Sequence, residues 1–112
     1  MCIFCKVANH EVPAQLILDE DEVLAFHDIS PQAPTHILVI PRKHITSLAH
    51  AGPEDAALLG KLMLAVRQVA KDAGLVDGGY RVVLNTGAGA GQSVFHLHIH
   101  VLGGRRMKWP PG

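Results

Sequence analysis

The sequence has little that would bind a nucleic acid or a membrane. Ten acidic residues balance its ten basic ones, and no Lys/Arg cluster is longer than a pair. A protein that binds a phosphate backbone over many contacts needs a basic patch. No stretch reaches the roughly 18 consecutive apolar residues of a membrane helix, and the N-terminus does not resemble a signal peptide. We therefore expect a cytoplasmic protein with neither nucleic acid nor membrane as its main partner.

Cysteine is also scarce, since the chain contains only Cys2 and Cys5. A structural disulfide between them is not expected in a reducing cytoplasm. Their spacing is typical of a metal knuckle or a redox pair, and two free thiols that pack as small hydrophobic groups are a third alternative. The redox pair fits least well, because no strand-to-helix junction is predicted at this place in the chain.

Apolar residues are plentiful, at 48% of the 112 residues against 18% charged. This composition is sufficient for a hydrophobic core and does not resemble that of a disordered chain. The length suits one ordinary domain and leaves no room for a second core. We therefore predict a single domain over residues 1–112.

The order of the predicted elements indicates an α+β domain. Residues 2–9 favour a short helix. The run Gly52-Pro53-Glu54-Asp55 predicts the start of a long helix, which continues to about Ala73 and carries one apolar stripe. Strands are predicted over residues 16–18, 22–27, 36–40, 80–86 and 95–102. Hairpin connections and one long helix together predict an antiparallel sheet of about five strands.

Three histidines alternate with three apolar residues in the run from His96 to Val101. On a strand, His96, His98 and His100 would project from one face about 6.5 to 7 Å apart, with the apolar residues facing the core. Imidazole titrates near neutral pH and serves as nucleophile, base or acid. The pattern alone is equally compatible with a metal patch or with chance, so its surroundings must be considered.

A glycine-rich loop at 87–91 precedes the histidines and leads into Gln92, Ser93 and Val94. Such a loop can bring backbone N–H groups and a hydroxyl close to a phosphate, and Asn85 would point toward it. A glycine-rich loop is often only a flexible turn. Next to three imidazoles, however, it completes the set of groups that phosphoryl or nucleotidyl transfer requires.

Over nearly its whole length the sequence resembles the histidine triad (HIT) family, and within it the Hint branch of nucleotide-binding phosphoramidases. Three segments carry the resemblance: FHDISPQAPTH at 26–36, GQSVFHLHIHVLGG at 91–104 and WPPG at 109–112. The glycine pair and the tail are similar to Hint proteins rather than to the dinucleoside polyphosphate hydrolases. The resemblance implies a HIT-like fold whose sheet extends across a homodimer.

The resemblance also implies a reaction, the hydrolysis of purine nucleoside 5′-phosphoramidates to AMP or GMP without a catalytic cofactor. His98 would attack the α-phosphorus and form a nucleotidyl-histidine that water hydrolyses. His96 would pass a proton to the leaving amine, while His100 and His36 support the phosphate and the reactive ring. The implied contacts are Ser93 and Asn85 to the phosphate, Asp28 to the ribose, and Phe26, His27 and Ile29 to the base. Gly91, Gln92 and Val94 are implied as further nucleotide-binding residues.

Several alternatives stay open at this point. Phe26 and His27 could simply pack in a strand. The chain could sense nucleotides or dock on partner proteins with only incidental hydrolysis, or it could be a nucleotidyl transferase. In the homodimer the apolar tail would bring Trp109 near the partner's site.

The resemblance extends to metal binding. Some HIT proteins carry a cysteine pair together with two histidines, which match His44 and His96 here. A structural zinc on Cys2, Cys5, His44 and His96 would satisfy the four-coordinate geometry of such sites. Zinc on His96 would exclude that ring from proton transfer.

Overall fold

The computed structural model describes residues 2–112, which form a five-stranded antiparallel sheet with helices on both faces. The sheet order is β1-β2-β3-β5-β4. The strands are β1 Leu16–Asp19, β2 Val23–His27, β3 Thr35–Pro41, β4 Tyr80–Val83 and β5 Ile99–Gly103, and the helices are α1 Ile3–Ala8 and α2 Ala56–Asp72. The predicted α+β class, the long helix and the short N-terminal helix are confirmed.

Three predicted boundaries were wrong. The last strand begins at Ile99 rather than at residue 95, and β4 ends at Val83 rather than at residue 86. The sheet pairing agrees with both, because β5 pairs with β3 only from Ile99, opposite Val39, and with β4 only from His100, opposite Val83. The long helix is α-helical only from Ala56, after a single 3-10 turn over Pro53–Asp55.

The main core lies between the sheet and α2. Leu62, Val66 and Val69 of the helix are at most 3% exposed and pack on one face of the sheet. Leu97, Ile99 and Val101 belong to the same cluster: their side chains alternate with the histidines, as predicted, even though only part of this segment is paired in the sheet.

A second, smaller core covers the opposite face of the sheet. Phe4, Val7 and Ala8 of α1 pack there on Leu24, Phe26, Leu38 and Ile40. A helix of six residues has little stability of its own. Its C-terminal end is held by the Arg42 guanidinium, which donates to the Ala8 carbonyl and to the Asp19 carboxylate. Helix α1 thus covers the histidine face, the face of the sheet from which the histidines project.

Neither helix among residues 2–112 is long and apolar enough to cross a membrane.

Candidate functional site

A pocket of about 380 Å³ lies between α1, the end of β2 and residues 96–100, which we call the histidine segment. Eight of the predicted site residues line it: Phe26, His27, Asp28, Ile29, Ser93, Val94, His98 and His100. Its wall is mainly apolar. The polar lining groups, apart from the exposed His27, are Asp28, Ser93 and the two histidines. An apolar wall with a few convergent polar groups is typical of a small-molecule site.

Sequence reasoning missed the part of the wall that α1 supplies. Ile3, Phe4 and Val7 line the pocket, together with Val12, Pro13 and Ala14 of the following loop. Val7 follows Phe4 by three residues and Ile3 by four, a spacing that marks one face of a helix and could have predicted this wall from the sequence. The Phe4 ring meets the His98 ring edge-on, with centroids 5.1 Å apart, and the Phe26 ring at 5.6 Å. Phe4 therefore joins the apolar wall to the histidines.

The hydrogen bonding of His98 determines which of its nitrogens can react. Its Nδ1 atom lies 2.8 Å from the backbone oxygen of His96. A carbonyl oxygen only accepts, so Nδ1 carries the proton and donates it. The lone pair of the neutral ring is therefore on Nε2. His98 is only 6% exposed, and it lines the pocket from a buried position.

A second set of hydrogen bonds orients His100. The backbone N–H of Gln32 donates to Nδ1 of His36 at 3.0 Å, so the proton of a neutral His36 ring is on Nε2. That Nε2 atom is 2.9 Å from Nδ1 of His100 and 3.4 Å from the Asp28 carboxylate. His36 can thus donate to His100, which leaves the proton of a neutral His100 on its Nε2 atom.

Both rings are kept neutral by their surroundings. Burial lowers the pKa of His36, and the Asp28 carboxylate offsets part of this effect. Burial also lowers the pKa of His100 to about 4, and repulsion from His98 and His36 adds to it. At neutral pH His100 is therefore an uncharged N–H donor beside the pocket.

Asp28, His36 and His100 also lie close enough together to be considered as a metal site. The tautomer of His36 argues against it. A metal on its Nε2 would move the proton of the neutral ring to Nδ1, where it would oppose the N–H of Gln32. Histidine ligands normally donate their second N–H to an acceptor. These three residues are better suited to a chain of hydrogen bonds than to binding a metal ion.

Three predicted nucleotide-binding residues, Asn85, Gly91 and Gln92, lie outside the pocket lining. Gly91 is a left-handed residue of the glycine loop, with a φ of 99°, and the Asn85 amide nitrogen lies beside it. Gln92 is 3% exposed, and its side chain bonds to the backbone of Gly87, Thr46 and Val94. Of the predicted loop residues, Ser93 and Val94 reach the pocket.

Cys2, Cys5, His44 and His96 form a second cluster, separate from the pocket. Their sulfur and nitrogen atoms all lie within 4.8 Å of one another. Nδ1 of His96 is 3.4 Å from Sγ of Cys2 and 3.5 Å from Sγ of Cys5, and Nδ1 of His44 is 3.3 Å from Sγ of Cys5. Burial and the neighbouring Cys2 thiol raise the pKa of Cys5. Without a cation the Cys5 thiol would therefore resist ionisation.

His96 faces this cluster and not the pocket. It is fully buried, and its Nε2 lies 2.8 Å from the Pro41 carbonyl, to which it must donate. Its Nδ1 lone pair is thereby directed at the cysteines. Both ring nitrogens are occupied, and His96 is absent from the residues that line the pocket.

The C-terminal tail lies along the outer edge of the sheet. Trp109 is 82% exposed and helps to line an open groove beside β4, away from the pocket of its own chain. Arg81 of β4 donates to the Lys108 carbonyl and holds the tail in place.

Comparison with known proteins assigns this arrangement to a family. The family model described as the HIT domain matches residues 9–107. Protein HitA of Neisseria gonorrhoeae is 55% identical over 102 residues, which cover 91% of this chain and 94% of HitA. An uncharacterized HIT-like protein of Synechocystis is 52% identical over 110 residues, which cover 98% of this chain and 96% of its own.

Solved structures agree with the fold. The crystal structure of a HIT family hydrolase from Legionella pneumophila has a TM-score of 0.98 at 46% identity, and each chain is covered completely. A histidine triad nucleotide-binding protein from Candida albicans has a TM-score of 0.83 at 31% identity, covering 98% of this chain and 83% of its own.

Proposed function

The chain belongs to the HIT domain family, and we propose that it is a nucleotide-binding hydrolase that cleaves the phosphorus–nitrogen bond of purine nucleoside 5′-phosphoramidates. The observation that carries the proposal is the orientation of His98. Its Nδ1–H is held by the His96 carbonyl, and its Nε2 lone pair is left for a substrate in the pocket. A neutral imidazole held in this way is a competent nucleophile.

The lining of the pocket matches the parts of a nucleotide. The apolar wall around Phe4 and Phe26 suits the face of a purine. The Asp28 carboxylate at the polar end suits the two ribose hydroxyls as an acceptor. Ser93 and His100 offer an O–H and an N–H to the phosphate. Because the wall carries few polar groups, the pocket is expected to accept both adenine and guanine.

In the first chemical step, Nε2 of His98 attacks the α-phosphorus while the bond from phosphorus to the amine breaks. The Nε2–H of His100 donates to a phosphoryl oxygen, where negative charge develops. The leaving amine takes up one proton. His96 cannot supply it, because its nitrogens face Pro41 and the cysteines. Ser93, a pocket-lining hydroxyl that both donates and accepts, is the best placed to transfer it, giving its own proton to the amine and taking one from a solvent water.

In the second step, water attacks the phosphorus of the nucleotidyl-histidine. The phosphorus–nitrogen bond to His98 breaks, the water releases one proton to the solvent through the Ser93 hydroxyl, and AMP or GMP is released with the neutral ring restored. The Nδ1–H bond to the His96 carbonyl keeps the same tautomer throughout. Splitting the reaction in this way is the usual advantage of covalent catalysis.

The test is phosphorus NMR of the chain with adenosine 5′-phosphoramidate. We expect AMP from the wild type and from His10→Ala, which alters an exposed loop histidine, and none from His98→Ala, which should still bind AMP. If none of the three proteins forms AMP while AMP still binds, the chain is a nucleotide sensor and the proposal fails. Products other than AMP in the presence of an alcohol or amine acceptor would make it a transferase.

The proposal includes a structural zinc on Cys2, Cys5, His44 and His96. Zinc–sulfur and zinc–nitrogen bonds of ordinary length in a tetrahedron place sulfur and nitrogen roughly 3.6 Å apart. The three sulfur–nitrogen distances of 3.3 to 3.5 Å fit this geometry. The bond from His96 to the Pro41 carbonyl is the outer support that a histidine ligand normally has. The metal would join α1 to the histidine segment in a cytoplasmic setting that keeps thiols reduced.

A homodimer that continues the sheet is the remaining part of the proposal. The β4 strand is an edge of the sheet, and its Tyr80 and Val82 side chains are 36% and 38% exposed. Unpaired edge strands readily pair with another chain. The exposed Trp109 lies beside the same edge, from which the tail could reach the partner's pocket.

A further inference from the structure

Gln92 is a buried residue within an accessible loop. It is 3% exposed, whereas both of its neighbours, Gly91 and Ser93, are exposed. Its carboxamide makes three hydrogen bonds, and each of them goes to a backbone group of the chain. A buried carboxamide with this many partners is fixed in position, because breaking the bonds would leave buried polar groups unpaired.

One side of the carboxamide closes the glycine loop. The backbone N–H of Gly87 donates to Oε1 of Gln92 at 2.8 Å, and the backbone N–H of Gln92 donates back to the Gly87 carbonyl at 3.1 Å. This reciprocal pair joins the first residue of the loop to the residue after its end. The glycines at both ends have positive φ, 87° at Gly87 and 99° at Gly91, so the loop depends on a conformation that other residues resist.

The other side of the carboxamide fixes the loop to its surroundings. Nε2 of Gln92 donates to the Thr46 carbonyl at 2.8 Å and to the Val94 carbonyl at 3.1 Å. Both amide protons are therefore used. Close by, the backbone N–H of Leu97 donates to the Ile45 carbonyl at 2.6 Å, so the segment after β3 supports the histidine segment as well.

We infer that Gln92 is a positioning residue, which sets the phosphate-binding conformation of residues 87–94 and does not itself contact the nucleotide. This inference rests on the proposed function. Ser93, which lines the pocket, lies between the two positions that Gln92 holds, its own backbone and the Val94 carbonyl. Turning the carboxamide toward a phosphate would break its bonds to Gly87, Thr46 and Val94.

The phosphate and the nucleoside of the ligand would be held by different parts of the chain. Most of the apolar wall that would hold the base comes from α1, the loop after it, β2 and β3, and Gln92 makes no hydrogen bond to any of these. Val94 is the one apolar lining residue whose backbone Gln92 holds. Loss of the Gln92 carboxamide should therefore weaken the binding of the phosphate and leave the binding of the nucleoside almost unchanged. A residue with only a general structural role would weaken both together.

The experiment is calorimetric titration of the zinc-loaded chain with AMP and with adenosine, using Gln92→Ala and the matched control Gln68→Ala, which removes an exposed glutamine of α2. For Gln92→Ala we expect AMP to bind about tenfold more weakly, the size of one lost hydrogen-bond contribution, with adenosine within about twofold of the wild type. Gln68→Ala should change neither. Equal losses for AMP and adenosine, or no loss for AMP, would overturn the inference.

A measurement on the unmodified chain covers the case in which Gln92→Ala does not fold. In NMR spectra, the Nε2 protons of Gln92 should exchange slowly with water and should shift less than the Ser93 amide when AMP is added. Rapid exchange in the free protein, or a Gln92 shift larger than that of Ser93, would mean that the carboxamide meets the ligand. A wild type that binds AMP no better than adenosine would contradict the proposed function itself and would be seen before any variant is made.

Discussion

The Nε2 atom of His36 lies 2.9 Å from the Nδ1 atom of His100, and the backbone N–H of Gln32 determines that His36 is the donor between them. The loop that contains Gln32 thus decides, through the His36 ring 64 residues upstream, which nitrogen of His100 carries the proton. Burial lowers the pKa of both rings, to about 4 for His100, so this direction is kept through the physiological pH range. The result is a neutral N–H donor where a phosphate is expected to bind.

The low pKa of His100 should make the protein less stable in acid. In the unfolded chain this histidine takes up a proton as the pH falls through about 6.5, whereas the folded chain resists until about pH 4. The unfolded state then binds more protons, so the free energy of unfolding falls by up to about 1.4 kcal/mol per pH unit in this window. Urea unfolding from pH 7.5 to 4.5 should show a shallower pH slope for His100→Gln. His50→Gln, an exposed control, should follow the wild type. Parallel slopes for all three proteins would contradict the assignment.

Removing a ligand of the proposed zinc site should weaken metal binding. Nδ1 of His44 is 3.3 Å from Sγ of Cys5. Nδ1 of His50, by contrast, bonds to the Ser47 hydroxyl. Metal analysis should find one zinc per wild-type chain and per His50→Gln chain. His44→Gln should bind zinc at least about tenfold more weakly, since a ligand is lost outright where even an outer-shell change costs that much. Equal zinc content in both variants under a competing chelator would exclude His44 as a ligand.

Asp28 should distinguish ribose from deoxyribose. Its carboxylate lines the pocket, and one oxygen accepts from the Ser30 N–H at 2.8 Å, which fixes its orientation. Asp28→Asn should weaken AMP about tenfold, because a hydrogen bond to a charged acceptor is lost. The binding of 2′,3′-dideoxy-AMP should change little. Asp77→Asn, at an exposed position, is the control. A parallel loss for the two nucleotides would mean that Asp28 acts only through His36.

The edge of β4 should carry the dimer contact. Val82 is 38% exposed on this edge. The control residue, Leu64 of α2, is 65% exposed and lines a groove with the β1–β2 turn, near the opposite edge of the sheet. Sedimentation should give twice the 12.0 kDa chain mass for the wild type and for Leu64→Lys. Val82→Lys should sediment as a single chain, because a buried, unpaired lysine opposes association. A dimeric Val82→Lys would place the contact elsewhere.

Two glycines should respond to alanine in opposite directions. Gly104 has a φ of 90°, and a Cβ there would lie 2.9 Å from Cβ of Pro34. Gly104→Ala should lower the free energy of unfolding by about 1 to 3 kcal/mol. It should also slow turnover, since Pro34 belongs to the loop that orients His36. Gly60 lies in α2 with open space around its Cβ position, so Gly60→Ala should stabilise by about 0.5 to 1 kcal/mol. Chemical denaturation measures both, and equal effects would refute this account.

Much of the fold was readable because periodicity reports on burial. The stripe of Leu62, Val66 and Val69 predicted α2 correctly, and the alternation of histidines with Leu97, Ile99 and Val101 correctly separated the two faces of the last strand. The strand ends were not readable. Residues 95–98 have the pattern of a strand, but the pairing of this segment in the sheet begins only at Ile99, and the Leu97 N–H donates to the Ile45 carbonyl, beyond the end of β3.

The candidate site was only partly readable from sequence. Its motif residues were found, but Phe4 was not, because nothing local shows that α1 folds over the histidine face. Gln92 was predicted to be a nucleotide-binding residue and stays a prediction, but its burial and its three backbone partners could not be read from the sequence. Long-range contacts of this kind join residues up to 94 positions apart, as between Cys2 and His96.

The sequence by itself determined the elements, the alternating faces and the inventory of reactive groups, because these depend on spacing along the chain. Only the tertiary structure decided which nitrogen carries the proton in His96 and His100, since that depends on groups at distant positions: the carbonyl of Pro41 for His96, and for His100 the His36 ring that the N–H of Gln32 orients. Three histidines with one local pattern were thereby given different surroundings. His96 was directed to the cysteines, His98 kept a free lone pair, and His100 became a neutral donor.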